Sequence, residues 1–178
     1  IFLEINTSFL VIFVLLFILL LCSALISGAE IALFSLKKGD IETADADSSK
    51  SIILITSLLE RPKKLLATIL VANNFINIAI VILFAYIGQF LFSSIENEVF
   101  RFLLEVICAT FLILLFGEII PKIYASRNSL KFSIALARPL RFLDIVFSPI
   151  SMPLQFITIQ IQNGLGKQKS NISSNSSK

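Results

Sequence analysis

FLVIFVLLFILLLCSALISGAEIALFSL, residues 9–36, decides the fold class. From Phe9 to Leu21 every side chain is apolar, and the run then admits Ser23, Ser27, Gly28 and Glu30 without losing its apolar character. A hydrocarbon core of roughly 30 Å takes about 20 helical residues to cross. The stretch is long enough to do so, and it is too long and lacks the basic flank of a removable signal. Two more runs of similar length follow, about 65–92, interrupted by Asn73, Asn74 and Asn77, and about 99–124, interrupted by Gly117, Glu118 and Pro121. The expected fold is an all-α membrane protein with three transmembrane helices, near 8–36, 65–92 and 99–124, plus amphipathic juxtamembrane helices on the cytoplasmic side.

Composition agrees and removes several function classes. Of 178 residues, 56% are hydrophobic and 15% charged, whereas soluble domains carry about 25% charged residues; the mean hydropathy is +0.91. Neither His nor Trp occurs, and Cys22 and Cys108 lie in separate apolar runs, so zinc, haem and iron-sulfur ligation lack their usual donors. An intramembrane hydrolase fares no better. No His is present to activate a serine, and Asp40, Asp45, Asp47 and Asp144 all fall outside the three runs. The chain does not read as an enzyme. Its formal charge of +3 comes from residues flanking hydrophobic runs, a signal of topology and lipid headgroups rather than of nucleic acid.

Lys37, Lys38, Lys50, Arg61, Lys63 and Lys64 lie between the first and second runs, and Lys122, Arg127, Lys131, Arg138 and Arg141 follow the third. The short loop at 93–98 carries Glu96 and Glu98, with Arg101 just beyond. Basic loops are retained in the cytoplasm, so the N-terminus is expected outside and the C-terminus inside. Residues 130–162 are apolar but broken by Arg138, Pro139, Arg141, Asp144, Pro149 and Pro153. They predict short helices at the inner interface, with Lys131, Arg138 and Arg141 reaching toward headgroups, rather than a fourth crossing. Residues 37–57 predict a cytoplasmic loop with a short helix of its own. Arg61-Pro62 then opens the second membrane helix, since Pro is acceptable in a first turn. The expected organisation is one transmembrane domain over 1–166, with a linker or disordered tail over 167–178.

Polar side chains at membrane depth cost about 2.5–3.5 kcal/mol for a central charge, so each needs a partner or a wet cavity. Ser23 and Ser27 are four residues apart and share a helical face, as do Asn73 and Asn77, whereas Asn74 is rotated by about 100°. Pro121 has no N–H, so the Gly117 carbonyl loses its helical partner beside Glu118. At a rise of about 1.5 Å per residue, all three helices bring these oxygens to the inner half of the bilayer. Two readings stand. Ser and Asn can be interhelical hydrogen-bond glue, with Glu118 paired to Lys122 and Glu30 to Lys37 or Lys38. Alternatively, hydroxyl, amide, carbonyl and carboxylate oxygens form a set suited to a hard cation such as Mg²⁺, Ca²⁺ or Na⁺.

Ser27-Gly28-Ala29-Glu30, Asn73-Asn74-Phe75-Ile76-Asn77 and Gly117-Glu118-Ile119-Ile120-Pro121-Lys122 resemble the three signature stretches of the CNNM/CorC transmembrane domain. That family also carries hemolysin-like and gliding-motility labels. The resemblance covers about residues 8–166, and the Gly-Glu-x-x-Pro-Lys stretch is its most specific part. It implies a homodimer in the bacterial inner (cell) membrane, in contact with membrane lipid. It further implies Mg²⁺ transport, as export exchanged for Na⁺, with cytoplasmic CBS-pair and CorC domains following the membrane part. Carried onto this chain, the metal ligands are Ser23, Ser27, Asn73 or Asn74, the Gly117 carbonyl and Glu118, with Gly28, Glu30, Asn77, Pro121 and Lys122 shaping the site. No residues here support the ATP binding linked to the CBS pair. The alternative function is a Mg²⁺-sensing or assembly module that anchors regulatory domains without moving ions.

Overall fold

The computed structural model describes residues 2–42 and 49–149. Helix α1 (Phe2–Ser35) leads into the short α2 (Lys38–Glu42), then α3 (Ser49–Leu59) and α4 (Pro62–Leu91). After a turn, α5 (Glu98–Leu112), a π-helical segment (Ile113–Ile119) and α6 (Ile120–Arg127) run on as one rod, and α7 (Ser129–Val146) follows. No strand occurs among the described residues. Three helices are long and apolar enough to cross a membrane: Phe9–Ser35, Pro62–Leu91 and Glu98–Arg127. The second and third have 30 residues each, about 45 Å at the helical rise. Both are longer than the hydrocarbon core is thick, an excess that tilt or protruding ends accommodate.

Sequence chemistry explains the boundaries. Pro62 occupies the first turn of α4, where a missing N–H costs nothing. Asn97 caps α5 by accepting from the Phe100 N–H at 3.1 Å, which satisfies one of the donors a helix start leaves free. The expected helix within 37–57 is realised as two, α2 and α3. The first part of the stretch after the third crossing forms an 18-residue helix with Pro139 inside it, and residues 148–149 are again helical after a turn at Phe147. The remainder of the expected belt and the tail at 167–178 lie outside the described residues.

Packing is inverted relative to a soluble protein. Leu10, Val11, Phe17, Leu70, Ile82 and Ile107 are exposed, while Ser23, Ser27, Thr68, Ser133, Glu105 and Asp144 are buried. Lipid tails solvate Leu and Phe as well as a core does, so small and polar residues add to apolar packing in joining the helices. Two apolar layers hold the bundle. The lower one joins Ile26, Ala29, Leu33, Leu65, Ile69 and Leu140 with α3 and α7; the upper joins Leu16, Ile80, Phe84, Ile87, Ala109 and Ile113.

Glycines set the closest approaches. A Cβ on Gly28 would come within 2.7 Å of the Phe132 ring, and one on Gly88 within 2.5 Å of the Glu105 side chain. Glu105 is itself buried in the upper half, so it has little room to swing aside. Gly88→Ala is therefore expected to destabilise the bundle by about 1–3 kcal/mol, the usual cost of overpacking. Chemical denaturation in detergent measures this, and a variant as stable as the parent would show that the contact relaxes freely.

Candidate cation site

Between the two apolar layers lies a polar one. Ser23, fully buried on α1, sits between two amides of α4: its Oγ is 3.1 Å from Asn73 Oδ1 and 2.9 Å from Asn77 Oδ1. Asn77 turns its Nδ2 the other way and donates to Glu118 Oε1 at 3.3 Å. Three helices are thus joined through Ser23, Asn77 and Glu118. A hydroxyl has one proton, so Ser23 satisfies only one of the two amide oxygens at a time. Three oxygens converge with one hydrogen among them.

The backbone contributes as well. Residues 113–119 form a π-helical segment in which the Ile120 N–H bonds the Leu115 carbonyl, five residues back. The next amide belongs to Pro121, which has no N–H. Neither Phe116, in the wide pattern, nor Gly117, in the ordinary one, receives that donor. Gly117 is buried, and a Cβ there would come within 2.9 Å of Ser23 Oγ. Only a glycine lets this loosened turn press against the serine.

Ser27, four residues on and hence on the same face of α1, is 1% exposed and its Oγ has no hydrogen-bond partner. A buried hydroxyl left unpaired costs about 1–3 kcal/mol. One turn below Glu118, Lys122 Nζ lies 3.4 Å from Glu30 Oε2 and ties α6 to α1.

Most of the residues singled out in the sequence meet here, with changed partners. Ser23, Asn73, Asn77, Gly117 and Glu118 form one cluster, with Pro121 shaping its turn. Asn74 is exposed on the far side of α4, because one residue along a helix is a rotation of about 100°; Asn77 reaches Ser23 instead. Gly28 faces Phe132 rather than the polar layer. Asn77 meets Glu118, and Glu30 meets Lys122, in place of the pairings of Glu118 with Lys122 and of Glu30 with Lys37; the Lys38 side chain lies outside the described residues. Packing two helices side by side brought closer partners than either residue had on its own helix.

Three charged residues are buried that the sequence alone did not mark as such. Lys64, one of the basic residues between the first and second runs, is 2.9 Å from Asp144 Oδ2, with both side chains under 10% exposed. Asp144 was assigned to an interfacial helix; it is 5% exposed. Glu105 is also buried, and its only signal in the sequence is an acid amid an apolar run; Arg101 Nε lies 3.9 Å from it, one turn back.

Among the described residues no three His, Cys, Asp or Glu side chains group as a metal site. The layer offers one carboxylate and several neutral oxygens. Ligand charge and rigidity tune affinity for hard cations, so a set with one carboxylate suits weak rather than tight binding.

A polytopic helical membrane domain with an oxygen-lined layer between apolar ones is the class these observations define. The chain belongs to the CNNM family: residues 14–178 match the Cyclin M transmembrane N-terminal domain. A UPF0053 protein of Synechocystis sp. is 32% identical over 148 residues, 83% of this chain and 41% of that protein. The UPF0053 inner membrane protein YfjD of Escherichia coli is 26% identical, over 81% of this chain and 32% of its own length. Metal transporter cnnm-4 of Caenorhabditis elegans is 28% identical, over 79% of this chain and 30% of its own length. The chain spans less than half the length of these relatives.

Proposed function

We propose that this chain is the membrane domain of a Mg²⁺ transporter of the bacterial inner membrane. In this reading Mg²⁺ enters from the cytoplasm, is held by Ser23, Ser27, Asn73, Asn77, the Gly117 carbonyl and Glu118, and is exported in exchange for Na⁺. The N-terminus lies outside. Two copies pair, and CBS-pair and CorC domains follow on the cytoplasmic side in the whole protein. The observation that carries the reading is the shortage of hydrogens in the polar layer. One proton lies among three oxygens, a buried serine hydroxyl has no partner, and a proline removes the donor from a neighbouring carbonyl. A cation supplies positive charge to such a set without needing another proton.

The two apolar layers account for gating. Leu16, Ile80, Phe84, Ile87, Ala109 and Ile113 pack above the polar layer, and a dehydrated ion does not cross packed hydrocarbon. Passage toward the Phe9 end therefore requires the helices to part. The π-helical segment is where the third helix yields most readily, since one stretch of its hydrogen-bond ladder is already wide and another is missing.

Purified protein in liposomes loaded with a Mg²⁺-sensitive dye tests the reading directly. Flux that follows an imposed Na⁺ gradient is the expected result; binding without flux indicates the sensing or anchoring module instead. Ser27→Ala provides a sharper check on the ligands. It removes a hydroxyl that has no partner, so thermal stability without Mg²⁺ is expected to hold or rise slightly. The rise in Tm on adding Mg²⁺, which reports binding to the folded state, should shrink. An undiminished rise would remove Ser27 from the ligand set.

A further inference from the structure

Away from the polar layer, the lower ends of α3, α4 and α7 enclose a cavity of about 140 Å³ lined by Ser57, Glu60, Arg61, Lys64, Arg141 and Asp144, with Leu58 as its apolar wall. Asp144 is engaged on both oxygens. Lys64 Nζ lies 2.9 Å and Arg141 Nη1 3.4 Å from Oδ2, and the Thr68 hydroxyl is 3.5 Å from Oδ1. A single buried carboxylate is thereby shared between two cations, while Arg61 and Glu60 stand exposed at the mouth. The lining has three cations and two carboxylates, leaving one positive charge over.

We propose that this cavity binds the phosphate group of an anionic membrane phospholipid. A phosphodiester carries one negative charge and only acceptor oxygens, which complements a lining with one surplus cation and guanidinium donors. The volume is ample, since a single water needs about 10–15 Å³. Depth favours a lipid over a free phosphate. Arg61 immediately precedes Pro62, the first residue of a 30-residue span, so the cavity sits at the level of the headgroups. Basic pockets between membrane helices at that level are the usual headgroup sites. The same turn of α7 also lines an apolar groove of about 260 Å³, where Phe142 and Leu143 meet Cys22, Ile26 and Ile76. One helix turn therefore offers a polar cavity for a phosphate and, on its neighbouring face, a channel for an acyl chain.

Native mass spectrometry of the whole chain in detergent, titrated with phosphatidylglycerol, phosphatidylcholine or inorganic phosphate, tests the assignment. One phosphatidylglycerol per chain is expected to bind, with phosphatidylcholine weaker because its trimethylammonium cancels the phosphate charge. Arg61→Gln with Arg141→Gln should weaken phosphatidylglycerol roughly ten- to thirtyfold, the effect of removing two basic residues near a headgroup. Arg61→Gln alone, at an exposed position, should give a smaller loss in a fold confirmed by circular dichroism. Lys131→Gln, an exposed cation that does not line the cavity, should leave binding unchanged. Equal losses from Lys131→Gln and from the double variant, or no loss from either, overturn the site. Full displacement of the lipid by inorganic phosphate at matched concentration overturns the lipid as occupant.

Discussion

Glu118→Gln is expected to weaken Mg²⁺ binding at least about a hundredfold, roughly 2.8 kcal/mol at 1.4 kcal/mol per decade, with little change in fold stability. Gln keeps the shape of Glu and retains an oxygen to accept from Asn77 Nδ2, which lies 3.3 Å from Glu118 Oε1. The link between α4 and the third helix therefore survives. What disappears is the carboxylate charge of the polar layer, where the other donors are hydroxyl, amide and carbonyl oxygens. Mg²⁺ sheds water reluctantly, and at membrane depth a neutral amide offsets that cost far less than a carboxylate does. Isothermal titration calorimetry in detergent measures the affinity, and denaturation without Mg²⁺ measures the fold. An affinity within about threefold of the parent, on the same scale, would mean that Glu118 serves only to hold Asn77.

Lys64→Met is expected to be the most destabilising single change at the lower end of the bundle, by about 3–5 kcal/mol, because it leaves a buried carboxylate without its closest partner. Asp144 retains Arg141 at 3.4 Å, but that arginine is 47% exposed and pulled toward water, so it replaces the lysine only in part. The paired change Lys64→Met with Asp144→Leu should recover most of the loss, since a buried ion pair exchanged for packed hydrocarbon is often close to neutral. Urea unfolding of the single and double variants provides the comparison. A Lys64→Met protein as stable as its parent would mean that water reaches Asp144 from the adjoining cavity.

The helical plan was legible because it rests on local facts. A crossing must satisfy its own backbone within one long apolar segment, and the runs near 8–36, 65–92 and 99–124 announce themselves that way; the structure sets the helices at 9–35, 62–91 and 98–127. The loosened turn was half legible. Gly117 and Pro121, four apart, predict a carbonyl without its donor, but not that the preceding residues widen into a π segment. Helical phase placed Asn73 and Asn77 on one face with Asn74 off it, and the structure follows phase. The ligand roles assigned by resemblance had left Asn73 and Asn74 open and made Asn77 a supporting residue. Gly28 shows the reverse case: it belongs to a signature stretch, yet Phe132 lies against it, on a helix whose position no local pattern announces.

The number of crossings, the lack of histidine and the inventory of intramembrane oxygens were determined by the amino-acid sequence alone. Each follows from residue type and short-range periodicity, which a chain carries whatever its neighbours do. Which oxygen meets which was decided only by the tertiary structure. Ser23 reaches Asn77 across 54 residues of sequence, Glu118 reaches Asn77 across 41, and Lys64 reaches Asp144 across 80. The physical reason is that partner choice over such distances depends on helix rotation and approach, which glycines such as Gly117 and Gly88 set to within a methyl group.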